Sequence, residues 1–153
     1  MTGKGNAASN SDPFTLERFT KAQKDVYNGV LRELRSGRKR THWMWYIFPQ
    51  IDGLAYSSTS KYYSIKSLEE ARQYLRHPVL GKRLVECSEV VLSVEGQSAS
   101  EIFGYPDDLK LKSSMTLFAA AADPDSVFVR VIDKYFNGES DRRTLQLIGQ
   151  TGN

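Results

Sequence analysis

The sequence predicts an all-α protein, a compact single-domain bundle of about six or seven helices, two of them short. Apolar residues in the first predicted helix recur every three or four positions, as they do on one face of a helix. Two Ser-x-x-Glu capping boxes, at Ser67 and Ser98, mark later helix starts. No clear strand–turn–strand pattern occurs, so a sheet is not expected.

The first predicted helix has the strongest periodicity in the chain. Asp12 or Thr15 is placed to cap its start, and Pro13 suits a first helical turn. Ser36-Gly37 ends the helix. Its apolar face consists of Leu16, Phe19, Ala22, Val26, Val30 and Leu34.

Capping residues, prolines and glycines bound the later elements. Residues 41–50 form either a short buried helix or a short strand that stops at Pro49. Residues 51–60 are rich in Gly, Ser and Thr, which predicts a loop. The remaining predicted helices run from Ser67 to about Arg76, Pro78 to Gly96, Ser98 to Gly104, Pro106 to Ala122, Asp123-Pro124 to Asn137-Gly138, and onward from Asp141.

The composition is that of an ordinary globular protein. The chain has 153 residues, of which 40% are hydrophobic and 25% are charged, which excludes a wholly disordered chain, a collagen and a coiled-coil rod. A lone cysteine, Cys87, excludes an internal disulfide and a cysteine-cluster zinc site. Neither a metal nor a cofactor is predicted, and the apolar stretches are too short for a membrane span.

The first twelve residues indicate a flexible N-terminal tail that precedes a single helical domain at 13–150. They lack the apolar core of a signal peptide and the arginines of a transit peptide. With a lone thiol and no export signal, the reducing cytoplasm is the expected compartment. The sequence does not predict an oligomeric state.

Positive charge is concentrated in one segment. The chain has a net charge of +3, and residues 32–40 alone hold five basic residues and one acidic residue. A nucleic-acid-binding protein usually spreads its positive charge over a whole face, so a nucleic acid is a disfavoured partner here, although an open one. The segment is either a solvated helix end, favoured by the helix dipole, or part of an anion site.

Four aromatic residues crowd into six positions directly after this basic segment. They cannot all share one helical face, so some must enter the core while others face a cleft or the opposite side. The four are Trp43, Trp45, Tyr46 and Phe48. In a cleft, Trp43 and Trp45 would stack a planar ring while Arg38 and Arg40 hold an attached phosphate. The alternative is a hydrophobic core plug.

Polar residues around this segment supply the candidate chemistry. His42 and Gln50 bracket the aromatic residues; Gln50 is a candidate binding residue, and His42 is either structural or a general acid or base. Asp107 is the other catalytic candidate, because it could stabilise a developing cation or activate water; alternatively it serves only the helix dipole. Lys110 and Ser114 lie four positions apart and could share one anion.

Several motifs, in order, resemble a bacterial family called domain of unknown function 1810. The resemblance extends from about Pro13 to Ile148 and rests on residues 37–50, Ser67-Leu68-Glu69-Glu70-Ala71, His77-Pro78-Val79-Leu80-Gly81, Ile102-Phe103-Gly104 and 107–118. It implies a small, mostly helical, soluble protein without an established activity, and it supplies no catalytic residues. Members are often labelled calpastatin, but a calpain inhibitor of that kind is a disordered chain, whereas this composition builds a core.

Two functions remain open at this point. The first is binding of a small-molecule anion, phosphate-bearing and nucleotide-like, in the aromatic and basic cleft. Whether the protein is also an enzyme stays open, and hydrolysis of an N-glycosidic or phosphoester bond would fit the residue set. The second is a non-catalytic module that meets a protein or RNA partner. A concave site shared by residues 38–50 and 107–116 favours the first, and a convex patch favours the second.

Overall fold

Ten helices make up residues 12–152, the part of the chain that this computed structural model describes. They are α1 (Glu17–Gln23), α2 (Tyr27–Arg35), α3 (Met44–Ile47), α4 (Ser58–Tyr62), α5 (Leu68–Arg76), α6 (Leu80–Ser93), α7 (Ala99–Phe103), α8 (Asp107–Ala120), α9 (Val127–Phe136) and α10 (Arg142–Gly152). Within these residues the β-type pairing is one parallel bridge between Ile51 and Ile65. The all-α class is confirmed, but the predicted count of six or seven helices is too low. Except for Asp12, the predicted tail at 1–12 lies outside the described residues.

The first predicted helix is two helices, α1 and α2, because the helix is interrupted after Gln23. Gln23 is only 1% exposed, and its amide donates to the carbonyl oxygen of Tyr46 at 2.8 Å and to the hydroxyl of Tyr74 at 3.2 Å. Val26, expected on the buried face, is 37% exposed, and Tyr27 is buried instead. After the interruption, the buried face of the second helix therefore includes Tyr27 rather than Val26, while the buried Gln23 amide has its hydrogen bonds satisfied.

Two other boundaries differ from the prediction. A short helix, α4, occupies part of the predicted 51–60 loop, and the hydroxyl of Ser57 caps it by accepting from the backbone N–H of Ser60. Helix α9 starts after Ser126 rather than at Asp123-Pro124, because the Ser126 hydroxyl accepts from the backbone N–H of Val129. The segment left open between helix and strand contains helix α3.

The capping residues at the other helix starts act largely as predicted. Ser98 and Glu101 form a complete capping box at the start of α7. Ser67 accepts from the backbone N–H of Glu70, but the Glu70 side chain bonds the backbone N–H of Lys66 instead of returning to the cap. At the first helix, Asp12 is the residue that accepts hydrogen bonds from the helix start.

Helices α1 and α5 are joined by a buried ion pair between Arg18 and Glu70. Arg18 Nη2 lies 2.8 Å from Glu70 Oε2, and both side chains are almost fully buried. The other guanidinium N–H groups donate to the carbonyl oxygens of Phe14, Thr15, Tyr62 and Ser64. Since all five N–H donors of Arg18 are used, this buried cation is fully satisfied.

Helix α8 lies in the middle of the core and contacts α5, α7, α9 and α10. Its Phe118 ring packs 5.3 Å from the Tyr74 ring and 5.9 Å from the Phe128 ring, measured between centroids. Cys87 in α6 is also fully buried, and burial raises the pKa of its thiol to about 12. None of the described helices is long and apolar enough to cross a bilayer.

Candidate functional site

Glu33 in α2 fixes the conformation of the basic and aromatic segment. Its carboxylate accepts hydrogen bonds from Arg40 N at 2.7 Å, Thr41 N at 3.1 Å, Thr41 Oγ1 at 2.6 Å and Trp43 Nε1 at 2.9 Å. Loss of hydration raises the pKa of the Glu33 carboxyl, but these hydrogen bonds outweigh it and lower the pKa to about 2. One carboxylate therefore ties residues 40–43 to the preceding helix.

Lys39 and Asp107 join the two predicted halves of the site. Lys39 Nζ lies 2.9 Å from Asp107 Oδ2, and Lys110 Nζ lies 3.1 Å from Asp107 Oδ1. Burial raises the pKa of Asp107, but the two ammonium groups and their hydrogen bonds outweigh burial, so the net shift is downward. Asp107 is thus an ionised carboxylate held between two lysines, and the basic partner from the first half is Lys39 rather than Arg38 or Arg40.

The two tryptophans have different environments. Trp43 is only 2% exposed, and its ring packs against those of Phe48 and Phe103 at centroid distances of 6.3 and 6.4 Å. Trp45 is half-buried, and Lys110 Nζ lies 4.1 Å from its ring centroid, within cation–π range. Trp43 is therefore a core residue, whereas Trp45 offers accessible ring surface.

The other predicted site residues are not brought together. Gln50 and Trp45 border a small pocket of about 10 Å³, room for one water molecule. Ser114 is fully buried, and its hydroxyl has no hydrogen-bond partner among the described residues. His42 is exposed, and no contact within residues 12–152 joins it to Asp107. The described residues contain no group of three or more His, Cys, Asp or Glu side chains able to hold a metal.

A cleft of about 370 Å³ lies between the basic segment and α7. Its volume is within the range of small-molecule sites, about 300–1,000 Å³. The polar and glycine residues that line it are Arg38, Lys39, Gln97, Ser100, Glu101 and Gly104. The cleft wall is fixed by the Lys39 backbone N–H, which donates to the Ile102 carbonyl oxygen at 2.7 Å. Among the predicted site residues, Arg38 is the one that lines this cleft.

Gly37 makes room for Gln97 in the wall of the cleft. Gly37 has a φ of +76°, and a Cβ atom at this position would overlap Gln97 Oε1. Gln97 is half-buried, and its carboxamide has no hydrogen-bond partner within the described part of the chain. The sequence did contain signals here, but Gly37 indicates only a helix end, and Ser98-x-x-Glu101 only a cap.

Residues 13–148 match the model of a family described as "Protein of unknown function (DUF1810)". No protein with a curated description matches the chain. The crystal structure of the conserved hypothetical protein Rv1873 from Mycobacterium tuberculosis, at 1.38 Å, is similar to it with 56% sequence identity and a TM-score of 0.89. The similarity covers 90% of this chain and 99% of that one.

Proposed function

The chain belongs to the DUF1810 family of proteins of unknown function, and we propose that it binds a small phosphate-bearing, nucleotide-like molecule in the cleft beside Arg38. The observation that carries this proposal is the position of Arg38. Its side chain is exposed, lines a cleft of about 370 Å³, and has no ion-pair partner within residues 12–152. A guanidinium group in that position suits a phosphate, which it can hold with two parallel hydrogen bonds.

The charge around the cleft supports an anionic ligand. Lys39 contributes little, because its ammonium group is paired with Asp107 and its side chain is only 7% exposed. Arg32, Arg35 and Arg40 are exposed and, in the described part of the chain, take part in no ion pair. These charges lie close to Arg38 in the sequence and favour anions, whereas the lining itself contains one carboxylate, that of Glu101.

Binding, rather than hydrolysis, is the activity that these contacts favour. Asp107 is already paired with two lysines, so using it as a base would break both ion pairs. His42 has no described contact that would orient its ring. Trp43 cannot stack against a ligand, because its indole is buried in the core.

A matched pair of arginine variants tests the proposal. Thermal unfolding is followed with inorganic phosphate, ribose 5-phosphate and adenosine 5′-monophosphate; a ligand at a hundred times its Kd stabilises by about 2.7 kcal/mol. Arg38→Ala should weaken binding by about tenfold or more, because a hydrogen bond to a charged group contributes about 1.5–3 kcal/mol. Arg40→Ala removes an equal charge outside the lining of the cleft and should bind nearly as tightly as the wild type. No stabilisation by any of the three probes would contradict the proposal.

A second function, a non-catalytic module for a protein or RNA partner, is favoured by the exposure of the four arginines. Arg32, Arg35, Arg38 and Arg40 are all exposed and could meet an acidic surface together. The same variants separate the two functions. If the arginines form such a surface, Arg40→Ala should lower the affinity for the partner as much as Arg38→Ala does. The affinity should also fall steeply as the salt concentration rises.

A further inference from the structure

We propose that this cleft selects sugar phosphates, with Arg38 and Gln97 holding the phosphate group and Glu101 accepting hydrogen bonds from the sugar hydroxyls. The inference rests on the proposed function, because it concerns the same cleft and names the class of ligand. That class is a phosphate ester whose carbon skeleton carries hydroxyl groups, either free or as the ribose phosphate of a nucleotide.

Three of the side chains that line the cleft present hydrogen-bond donors. The Gln97 carboxamide oxygen lies against Gly37, in the space that a side chain at position 37 would fill. This placement leaves Gln97 Nε2 as the atom that can serve the cleft, and it has no partner in the described residues. Together with the Arg38 guanidinium and the exposed Ser100 hydroxyl, it forms a donor set suited to the oxygens of a phosphate.

Glu101, which also lines the cleft, presents a carboxylate. Glu101 Oε1 accepts from the backbone N–H of Ser98 at 2.7 Å, so the capping box holds the side chain in place. Glu101 Oε2 has no partner among the described residues. A carboxylate repels a phosphate but accepts hydrogen bonds from hydroxyls, as an acidic residue does from a ribose in dinucleotide sites. The anion of the ligand must therefore lie toward Arg38 and its hydroxyls toward Glu101.

The aromatic residue that lines the cleft cannot stack a base, and the exposed Tyr105 ring, which follows Gly104 in the chain, is outside the lining. Phe103 lines the cleft, and Trp43 packs against the Phe103 ring. Both residues are buried. Trp45, whose ring is accessible, borders a different pocket with Gln50. Recognition in this cleft should therefore end at the sugar, and a base attached to it should add little.

The test compares the affinities of the same three probes by calorimetry. Ribose 5-phosphate should bind about tenfold more tightly than inorganic phosphate, since one charge-assisted hydrogen bond contributes about 1.5 kcal/mol or more. Adenosine 5′-monophosphate should bind within about threefold of ribose 5-phosphate, because the lining of the cleft has no exposed aromatic ring on which the base could stack. Glu101→Gln retains a capping-box residue, because Gln as well as Glu occurs at this position of the box. It should lose most of the preference for ribose 5-phosphate and bind inorganic phosphate at least as tightly as the wild type.

A pair of glycine variants tests the role of Gln97. Gly37→Ala should lower the affinities for inorganic phosphate and for ribose 5-phosphate by the same factor, because the new methyl group displaces the Gln97 side chain. Gly96→Ala is the control: Gly96 has a similar φ of +72° with nothing within 4 Å of its added Cβ, so its ligand affinities should be unchanged. If Gly37→Ala fails to fold, Gln97→Ala, which leaves the backbone unchanged, should show the same loss.

The outcomes separate this inference from the proposed function. Equal affinity for ribose 5-phosphate and inorganic phosphate, or a preference that survives Glu101→Gln, overturns the selection of sugar phosphates. If Arg38→Ala weakens phosphate binding by about tenfold or more in that case, the proposed function stands. Absence of binding by all three probes overturns both.

Discussion

Three adjacent cations in the basic segment have three different environments. Lys39 is paired with Asp107, Arg38 lines the cleft, and Arg40 is exposed outside it. The sequence predicts a basic segment facing Asp107 and Lys110, and the structure does bring the two stretches into contact. The sequence does not predict which of the three cations is buried and which lines the cleft, because contacts from α7 and α8 decide that.

Residues of α7 show why the cleft itself was not predicted. Ser98 and Glu101 match a capping box, and that local role fully accounts for both residues in the sequence. Nothing local indicates that Gln97 packs against Gly37, since the two are distant in the chain and their contact depends on the fold. Trp43 and Trp45 are similar in sequence context, and what distinguishes the buried indole of Trp43 is its packing against Phe48 and Phe103 in the folded protein.

Glu33→Ala should destabilise the protein by about 2 kcal/mol at pH 7, because the Trp43 indole N–H loses its acceptor, as do two backbone N–H groups. The measurement is urea unfolding. The pKa of Glu33 is lowered from 4.5 to about 2, so the carboxylate stabilises the fold fully above pH 4.5 and loses this effect as the pH falls toward 2. The difference between variant and wild type should therefore shrink in acid.

Glu89→Ala is the control for Glu33→Ala. Glu89 is exposed, and no described contact involves its side chain, so its removal should change stability by less than about 0.5 kcal/mol. A Glu33→Ala deficit that is the same at pH 7 and pH 3 would show that the charge of the carboxylate is not what stabilises the segment.

Helices are predictable from sequence where a cap and an apolar face agree. Helices α5 and α7 begin at their predicted serines, and α8 begins directly after Pro106. The interruption after Gln23 could not be predicted, because the hydroxyl that accepts from its amide belongs to Tyr74 in another helix. The spacing of apolar residues predicts that Val26 lies in the core, but it contains no information about the hydrogen bonds of Gln23.

Glu70→Ala should destabilise the protein by about 3–5 kcal/mol, because it leaves the Arg18 cation buried without its carboxylate. The neighbouring Glu69→Ala is the control. Glu69 is exposed and lies 3.7 Å from Arg72, so its loss should cost less than about 1 kcal/mol. Thermal or urea unfolding measures both variants, and a similar small loss in each would contradict the role given to the α1–α5 ion pair.

A chain of aromatic contacts runs through the protein from α1 to α9. Phe19 packs 5.1 Å from Tyr74, Tyr74 packs 5.3 Å from Phe118, and Phe118 packs 5.9 Å from Phe128. These rings belong to α1, α5, α8 and α9, so four helices share one core. The single domain over 13–150 stays a prediction, and a shared core of this kind leads us to expect that it unfolds as one cooperative unit.

Cooperativity can be measured with two signals. In urea, loss of helical circular dichroism and change in tryptophan fluorescence should have the same midpoint, because both report one transition. Phe118→Ala should shift both midpoints together, with a loss of about 3–5 kcal/mol. A fluorescence midpoint that moves alone would show that the segment around Trp43 unfolds separately.

Cys87 allows the opening of the folded protein to be followed by thiol labelling. It is the one cysteine of the chain, it is fully buried in α6, and its raised pKa keeps the sulfur in the unreactive thiol form. A thiol-labelling dye can reach it only after α6 has separated from its neighbours. The labelling rate therefore reports how often the folded protein opens far enough to expose this thiol. The measurement needs no engineered probe, and no other thiol competes for the dye.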